Sequence, residues 1–259
     1  MTGLGAWSVA AYEAFADLRL RPAHDLLARI PQPGPGPVVD LGCGSGAAAP
    51  ALRARFPGRR LIGVDGSPEM LAKASALFDD VTEADIGAWS PAEAPALIFS
   101  NAALHWLPDH ERLISRLAAS LAAGGVLAAQ MPGQLQRPSH QTMIAAAAAV
   151  RPDLFTGWTP FPGPLPLPAY ADLLSGAALD FWETEYLQRL GPAKDGGHPV
   201  RAFTSSTGGR PILAKLNPEE TARFNALWDR GLDDAYPRLS DGGCWFPFRR
   251  VFMVARFGG

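Results

Sequence analysis

The chain has 259 residues, of which 47% are hydrophobic and 19% are charged, an ordinary balance for a globular protein with a sizeable core. Its 23 basic and 25 acidic side chains give a formal net charge of −2, which does not favour binding to nucleic acid or to an anionic membrane. Two cysteines, Cys43 and Cys244, are too few for a disulfide framework and lack the spacing of zinc ligands. We therefore expect the partner to be a small molecule.

The N-terminal segment 8–30 has mostly helical spacing of its apolar residues, and Pro22 is expected to open a second helix there. The first residues lack the basic region and the long apolar core of a signal peptide. The longest purely apolar run, 143–150, is too short to cross a bilayer. These patterns favour a soluble cytoplasmic protein.

From residue 38, short apolar segments alternate with segments of helical pattern. Strands are predicted at 38–42, 60–65, 80–85, 96–101 and 125–131. Helices are predicted near 47–56, 68–77 and 109–122. Such alternation is typical of a parallel sheet with helices on both faces.

After residue 131 the regular alternation ends. Six prolines within 152–168 exclude a long helix in that segment. The patterns predict a helix at the Ala-rich 145–149, a strand at 179–190, a capped amphipathic helix at 217–236 and a closing strand at 244–257.

These elements predict an α/β fold with a doubly wound, mostly parallel, seven-stranded Rossmann-like sheet. We expect a single domain over residues 1–259, with a cofactor-binding core at about 36–132. An α-helical and irregular cap would come from about 1–30, 132–178 and 191–240.

Three alternate glycines, Gly42, Gly44 and Gly46, separate the first predicted strand from a helix. Ligands of parallel sheets bind at the carboxyl ends of the strands, and glycine lets a ligand approach the main chain closely. The absence of a following Gly-Lys-Ser/Thr excludes a P-loop. The pattern also fits the dinucleotide fingerprint G-x-G-x-x-A with Ala47 last, so the loop alone leaves a nicotinamide cofactor open.

Two acids stand at the ends of the next two predicted strands. Asp65 ends the second strand 19 residues beyond Gly46, where a carboxylate can accept hydrogen bonds from both hydroxyls of a ribose. Its alternative role is to cap the helix that begins near Pro68. Asp85 closes the third strand and could accept from an adenine amine, while Ile86 and Met70 press on the ring.

Five segments resemble, in order and in spacing, the motifs of class I S-adenosylmethionine-dependent methyltransferases. They are VVDLGCGSG, GVDGSPEML, EADI, FSNAALHWLPD and GGVLAAQMP. The resemblance implies S-adenosylmethionine as the cofactor, S-adenosylhomocysteine as its product, and the glycine loop as the cradle of the methionine portion. The cofactor contacts that it implies are Arg21, Asp40, Gly42, Gly44, Gly46, Asp65, Gly66, Met70, Asp85, Ile86 and Asn101.

Further segments, among them QMPGQLQRPSH, GGRPIL and FPFRRVFMVA, resemble the trans-aconitate 2-methyltransferases. That resemblance implies transfer of a methyl group to a carboxylate, giving an ester, without a metal. A carboxylate is already ionised at neutral pH, so the reaction needs orientation rather than a general base. The implied acceptor contacts are Tyr12, His140, Arg210 and Arg250, with His105 and Trp106 beside the transferred methyl.

The chain departs from the trans-aconitate pattern at four positions. His105 stands in place of a glutamine, Phe203 in place of a tryptophan, Ser205 in place of a lysine, and Arg137 in place of an acid. A histidine at 105 could orient the substrate or, when neutral, take a proton from a hydroxyl acceptor. Other acceptors therefore stay open: another small acid, a hydroxyl or an amine.

Two further classes compete with this enzyme. A protein could bind S-adenosylmethionine without catalysis, but the capping segments would then be superfluous. A nicotinamide oxidoreductase is disfavoured because GVDGSPEML, EADI and NAALHW have no role in hydride transfer.

Overall fold

The computed structural model describes residues 16–258. They form two compact units. The sheet unit comprises 19–132, 163–184 and 250–258, and the helical unit comprises 16–18, 133–162 and 185–249. The expectation of one domain over the whole chain stays a prediction.

Seven strands form one mixed sheet. They are β1 (Val38–Leu41), β2 (Leu61–Asp65), β3 (Asp80–Glu83), β4 (Leu97–Asn101), β5 (Val126–Pro132), β6 (Ala177–Leu190) and β7 (Cys244–Phe257). Their order is β3-β2-β1-β4-β5-β7-β6; neighbours among the first five are parallel, and β7 is antiparallel to β5. The predicted seven-stranded sheet is confirmed, with strand ends within two residues of those predicted.

Ten α-helices lie within the described range. They are α1 (Ala16–Arg29), α2 (Ala49–Arg55), α3 (Pro68–Ala74), α4 (His110–Ala119), α5 (Pro138–Val150), α6 (Pro152–Phe155), α7 (Leu167–Leu173), α8 (Pro199–Ser205), α9 (Arg210–Leu213) and α10 (Pro218–Ala235). Short 3-10 turns follow α3 at Ser75–Leu77 and β4 at Leu104–Trp106.

The sheet unit has a continuous apolar core because its central strands are buried on both faces, as is usual for parallel strands. Ile98 of β4 and Leu127 of β5 belong to one buried cluster with Leu113 and Leu117 of α4. All four residues of β1 are buried. This core holds the carboxyl ends of the strands in fixed positions.

Helix α1 corrects the prediction for the N-terminal segment. Pro22 lies inside one helix and opens no second one, although a proline lacks the N–H that would bond the preceding turn. The helix continues through it because Ala23, Leu26 and Leu27 are buried. Residues 8–15 of the predicted segment lie outside the described residues.

The helical unit is built around α5 and α10. Met143 and Ala147 of α5 share a buried cluster with Phe224 and Trp228 of α10. The predicted cap of α10 is confirmed: the Asn217 side chain accepts from the Glu220 amide and the Glu220 side chain accepts from the Asn217 amide, both at 2.9 Å. Helices α6, α7, α8 and α9 were not predicted.

Candidate active site

The loop after β1 has a separate structural reason for each glycine. Gly42, Gly44 and Gly46 all lie at positive φ, 80°, 54° and 83°. A Cβ on Gly42 would lie 2.2 Å from the Cβ of Ala103, so packing within the protein requires glycine there. A Cβ on Gly46 would lie 2.8 Å from Leu77 Cδ1, the end of a side chain that can move, so the positive φ is the stronger reason for glycine at that position. At Gly44 nothing lies within 4 Å of the Cβ position. Of these three glycines, Gly44 is therefore the one with open space at its Cβ position.

Asp65 connects the glycine loop to the end of β2. Its Oδ2 accepts from the Gly44 amide at 2.8 Å, and its Oδ1 accepts from the Ser67 amide at 2.9 Å. Each oxygen keeps a second lone pair for a ligand hydroxyl. The N-cap of α3 is Ser67, whose Oγ accepts from the Met70 amide at 3.4 Å. The alternative role of Asp65 as the helix cap is therefore wrong.

Asp40 is a buried carboxylate at the same end of the sheet. It is 2% exposed, and burial together with the negative charge of Asp65 raises its pKa to about 7. Its Oδ2 has no hydrogen-bond partner among the described residues. A buried anionic oxygen of this kind favours a positively charged ligand group.

The loop after β3 lies against the glycine loop. Strand β3 ends at Glu83, so Asp85 follows the strand and does not close it. Asp85 is exposed and its Oδ1 accepts from the Gly87 amide at 2.9 Å. The Cδ1 of Ile86 lies 3.5 Å from the Cβ position at Gly42. Gly66 is exposed, while Ile86 and Met70 are half-buried.

The segment after β4 is strained. Ala102, next to the half-buried Asn101, has φ 54°, which is uncommon for a residue with a side chain and often marks a functional loop. The following 3-10 turn carries His105, which is 4% exposed, and the half-buried Trp106. Their rings lie 4.9 Å apart.

Two buried side chains of the sheet unit, His110 and Tyr170, hold this turn in place by hydrogen bonds. His110 Nε2 donates to the Leu104 carbonyl at 2.9 Å, and His110 Nδ1 is bonded to the Tyr170 hydroxyl. That hydroxyl also accepts from the Leu165 amide at 3.0 Å. The His105 carbonyl accepts from the Gly163 amide at 3.2 Å. The turn is thus anchored at two of its carbonyl groups.

The strand register places four polar side chains on one face of the sheet. Asp40 pairs with Phe99, and Asn101, two residues further on the same face, pairs with Gln130. Arg250 pairs with the residue two positions after Gln130, so it shares that face. Its Nη1 donates to Gln130 Oε1 at 3.5 Å. Sequence reasoning missed Gln130, although a polar amide inside the apolar stretch VLAAQMP was an available signal.

Two expected acceptor contacts lie in the helical unit. His140 is buried, its Nδ1 lies 3.1 Å from Ser139 Oγ, and burial lowers its pKa to about 4. Arg210 begins α9 and is half-buried, which lowers its pKa. Of the other expected residues, Arg21 is exposed on α1, and Tyr12 lies outside the described residues.

The departures in the helical unit have structural roles. The Arg137 guanidinium lies 2.6 Å from the Glu185 carboxylate. The ring of Phe203 packs edge-on against Phe246 and Phe248, with each pair of centroids 5.7 Å apart. Ser205 donates its hydroxyl to the carbonyl four residues earlier. In this structure Phe203 is therefore a core residue.

Comparison with known proteins agrees with this geometry. The family described as a methyltransferase domain matches residues 12–162. The trans-aconitate 2-methyltransferase of Methylobacterium radiotolerans is 44% identical over 96% of this chain and 98% of its own length.

Solved structures share the fold. The YcgJ protein from Bacillus subtilis aligns with a TM-score of 0.59 at 14% identity, over 92% of this chain and 99% of that one. The Haemonchus contortus phosphoethanolamine N-methyltransferase 2 in complex with S-adenosyl-L-methionine aligns with a TM-score of 0.52 at 18% identity, over 92% of this chain and 53% of that one.

Across residues 16–258, none of the helices has the length and apolar character needed to cross a membrane.

Proposed function

Because this chain belongs to the trans-aconitate 2-methyltransferases, which are S-adenosylmethionine-dependent enzymes, we propose that it methylates a carboxylate of a small polycarboxylate, with trans-aconitate as the first candidate. The acceptor oxygen forms a bond to the methyl carbon as the carbon–sulfur bond breaks. The products are a methyl ester and S-adenosylhomocysteine. The observation that carries the proposal is the buried Arg250 on the sheet face that also carries Asp40.

The residues at the β1–β3 end of the sheet fit the cofactor. S-adenosylmethionine, when bound, supplies an electrophilic methyl group on a sulfonium. The orphaned Oδ2 of Asp40 fits its ammonium group, and the open space at Gly44 fits its methionine portion. Asp65 would accept from the ribose hydroxyls and Asp85 from the adenine amine. The remaining proposed contacts are Arg21, Gly42, Gly46, Gly66, Met70, Ile86 and Asn101.

The acceptor needs a cation and a fixed orientation, not a base. Its carboxylate is ionised at neutral pH, so no proton has to move. Arg250 would supply the positive charge, and an aligned near-attack geometry can account for roughly 7–11 kcal/mol of the barrier. His105 and Trp106 would flank the reacting oxygen on the turn after β4. His140, Arg210 and Tyr12 stay proposed acceptor contacts.

A second candidate is methyl transfer to another small acid, a hydroxyl or an amine. The observation that favours it is His105, buried in the turn after β4 beside Trp106. A neutral imidazole there could take the proton that a hydroxyl acceptor must lose.

We also propose that the protein acts in the cytoplasm on a small molecule, and that its partner is neither a nucleic acid nor a membrane.

The test is an acceptor panel. The protein is incubated with methyl-labelled S-adenosylmethionine and with tricarboxylates, dicarboxylates, phenols and amines, and the product is treated with mild base. We expect a base-labile methyl ester from trans-aconitate. Product from a phenol or an amine alone would overturn the proposal in favour of the second candidate. Calorimetry with S-adenosylhomocysteine and with NAD checks the cofactor separately, and cofactor binding without any product would indicate a binding protein.

A further inference from the structure

Gln130 is a buried amide whose oxygen has a hydrogen-bond partner and whose nitrogen has none among the described residues. It is 0% exposed near the carboxyl end of β5. Its Oε1 accepts from Arg250 Nη1 at 3.5 Å, whereas its Nε2 has no hydrogen-bond partner among the described residues. A buried donor left without an acceptor is costly in free energy. The amide therefore needs an acceptor that the described part of the chain does not supply.

The backbone around Gln130 is fixed. Its carbonyl accepts from the amide of Ala102, the strained residue after β4, at 2.9 Å. Its strand partner Asn101 projects from the same face. Asn101 Oδ1 also has no partner among the described residues, so neither side chain satisfies the other. The two amides present an acceptor on β4 and a donor on β5, side by side.

We propose that Gln130 is a substrate-binding residue whose Nε2 donates a hydrogen bond to a carboxylate oxygen of the methyl acceptor. Arg250 holds the oxygen of the amide, so the amide nitrogen is turned toward the acceptor and presents donors only. Together the two side chains form an anion subsite with a charge and an oriented donor. This inference rests on the proposed function.

The first test replaces Gln130 with methionine, which has a similar volume and no amide. Loss of a hydrogen bond to a charged group lowers the affinity for that group by about 10- to 100-fold. We expect KM for the tricarboxylate to rise by about that factor in Q130M, with the affinity for S-adenosylhomocysteine unchanged. Gln141→Met, an exposed glutamine on α5, is the matched control and should leave both values unchanged.

The second variant, Q130E, keeps the shape of the side chain. It tests the contact between residue 130 and the methyl acceptor even if Q130M fails to fold. Its carboxylate would pair with Arg250 and repel an anionic acceptor, so KM for the acid should rise at least as much. A substrate series provides a readout that a structural role would not change. The ratio of kcat/KM for the tricarboxylate to that for the dicarboxylates lacking one carboxylate should fall toward one in both variants.

The outcomes separate the two proposals. If the unaltered protein methylates no polycarboxylate, the proposed function fails and this inference fails with it. If the unaltered protein makes the ester and both Gln130 variants keep its KM, the inference alone is overturned. A loss of S-adenosylhomocysteine affinity with an unchanged KM for the acid also overturns it, because the amide would then belong to the cofactor site.

Discussion

The β1–β3 end and the β5–β7 end of the sheet differ in the charge of their side chains. At the β1–β3 end, three carboxylates follow or lie on successive strands: Asp40, Asp65 and Asp85. At the β5–β7 end, Arg250 and the amide of Gln130 are buried polar side chains in contact with each other. The proposed reaction joins a cationic methyl donor to an anionic acceptor, and with the proposed contacts this division of charge would place each ligand against groups of the opposite sign.

The two ends also differ in how they are held. Main-chain amides fix two of the three acids: Asp65 accepts hydrogen bonds from two amides and Asp85 from one. At the β5–β7 end the contact is between two side chains, because the guanidinium of Arg250 donates to the amide oxygen of Gln130. We therefore expect changes at the acid end to act on cofactor affinity, and changes at the cationic end to act on the acceptor.

The largest effect is expected at Asp65. Asp65→Ala removes the acceptor of two loop amides and the proposed acceptor of the ribose hydroxyls, so the affinity for S-adenosylhomocysteine should fall by at least about 100-fold, as expected for the loss of two hydrogen bonds to a charged group. Isothermal titration calorimetry measures it. Asp153→Ala, an exposed acid of the helical unit, is the control. Unchanged affinity in Asp65→Ala would rule out the ribose assignment.

At the cationic end, Arg250→Met should act on the acceptor. Removing a buried cation from a charged partner costs at least about 2 kcal/mol, so kcat/KM for the tricarboxylate should fall by about 30-fold or more. Arg256→Met, an exposed arginine on the same strand, should change little. Steady-state kinetics with saturating cofactor provide the measurement. A fall in cofactor affinity instead would contradict the division of roles.

The charge of Asp40 should make cofactor binding depend on pH. With a pKa of about 7, most Asp40 is protonated at pH 6 and most is ionised at pH 8. Since a cationic ligand group selects the ionised form, affinity for S-adenosylhomocysteine should rise about tenfold over that interval. Calorimetry across the range tests it. Asp40→Asn should bind more weakly and without this pH dependence, and an identical slope in the variant would exclude Asp40 as its source.

The same raised pKa affects stability without a ligand. Burial disfavours the charged form of Asp40, so the folded state keeps a proton that the unfolded state releases above its pKa of 3.8. This retained proton adds to the free energy of unfolding. The addition is fully present below about pH 4 and is lost as the pH rises through about 7. Asp40→Asn should flatten this part of the stability profile.

The smallest effect is expected within the glycine loop. Gly44→Ala adds a methyl group in open space, so its main cost is a left-handed backbone of about 1–2 kcal/mol. Gly42→Ala has that cost and a clash with Ala103 as well. We expect Gly44→Ala to lower Tm by roughly 2–8 °C, and Gly42→Ala to lower it further. Thermal unfolding compares them, and equal losses would show that packing does not distinguish these glycines.

Local patterns predicted the elements of this fold well because each depends on neighbouring residues. Mostly apolar segments of four to seven residues mark β1, β2, β4 and β5, and their alternation with helices indicates parallel pairing. The capping box at Asn217 is equally local. By contrast, Pro22 inside α1 depends on burial against other elements, which no local pattern contains.

The sequence by itself determined which ends of which strands carry carboxylates and glycines, since parallel strands bring their carboxyl ends to one edge. Only the tertiary structure decided that Asp40 is buried near Asp65, and that Gln130 meets Arg250 across 120 residues of chain. The reason is physical: pKa values and unfilled hydrogen bonds depend on burial and on partners distant in sequence, and both arise only when the strands pack together.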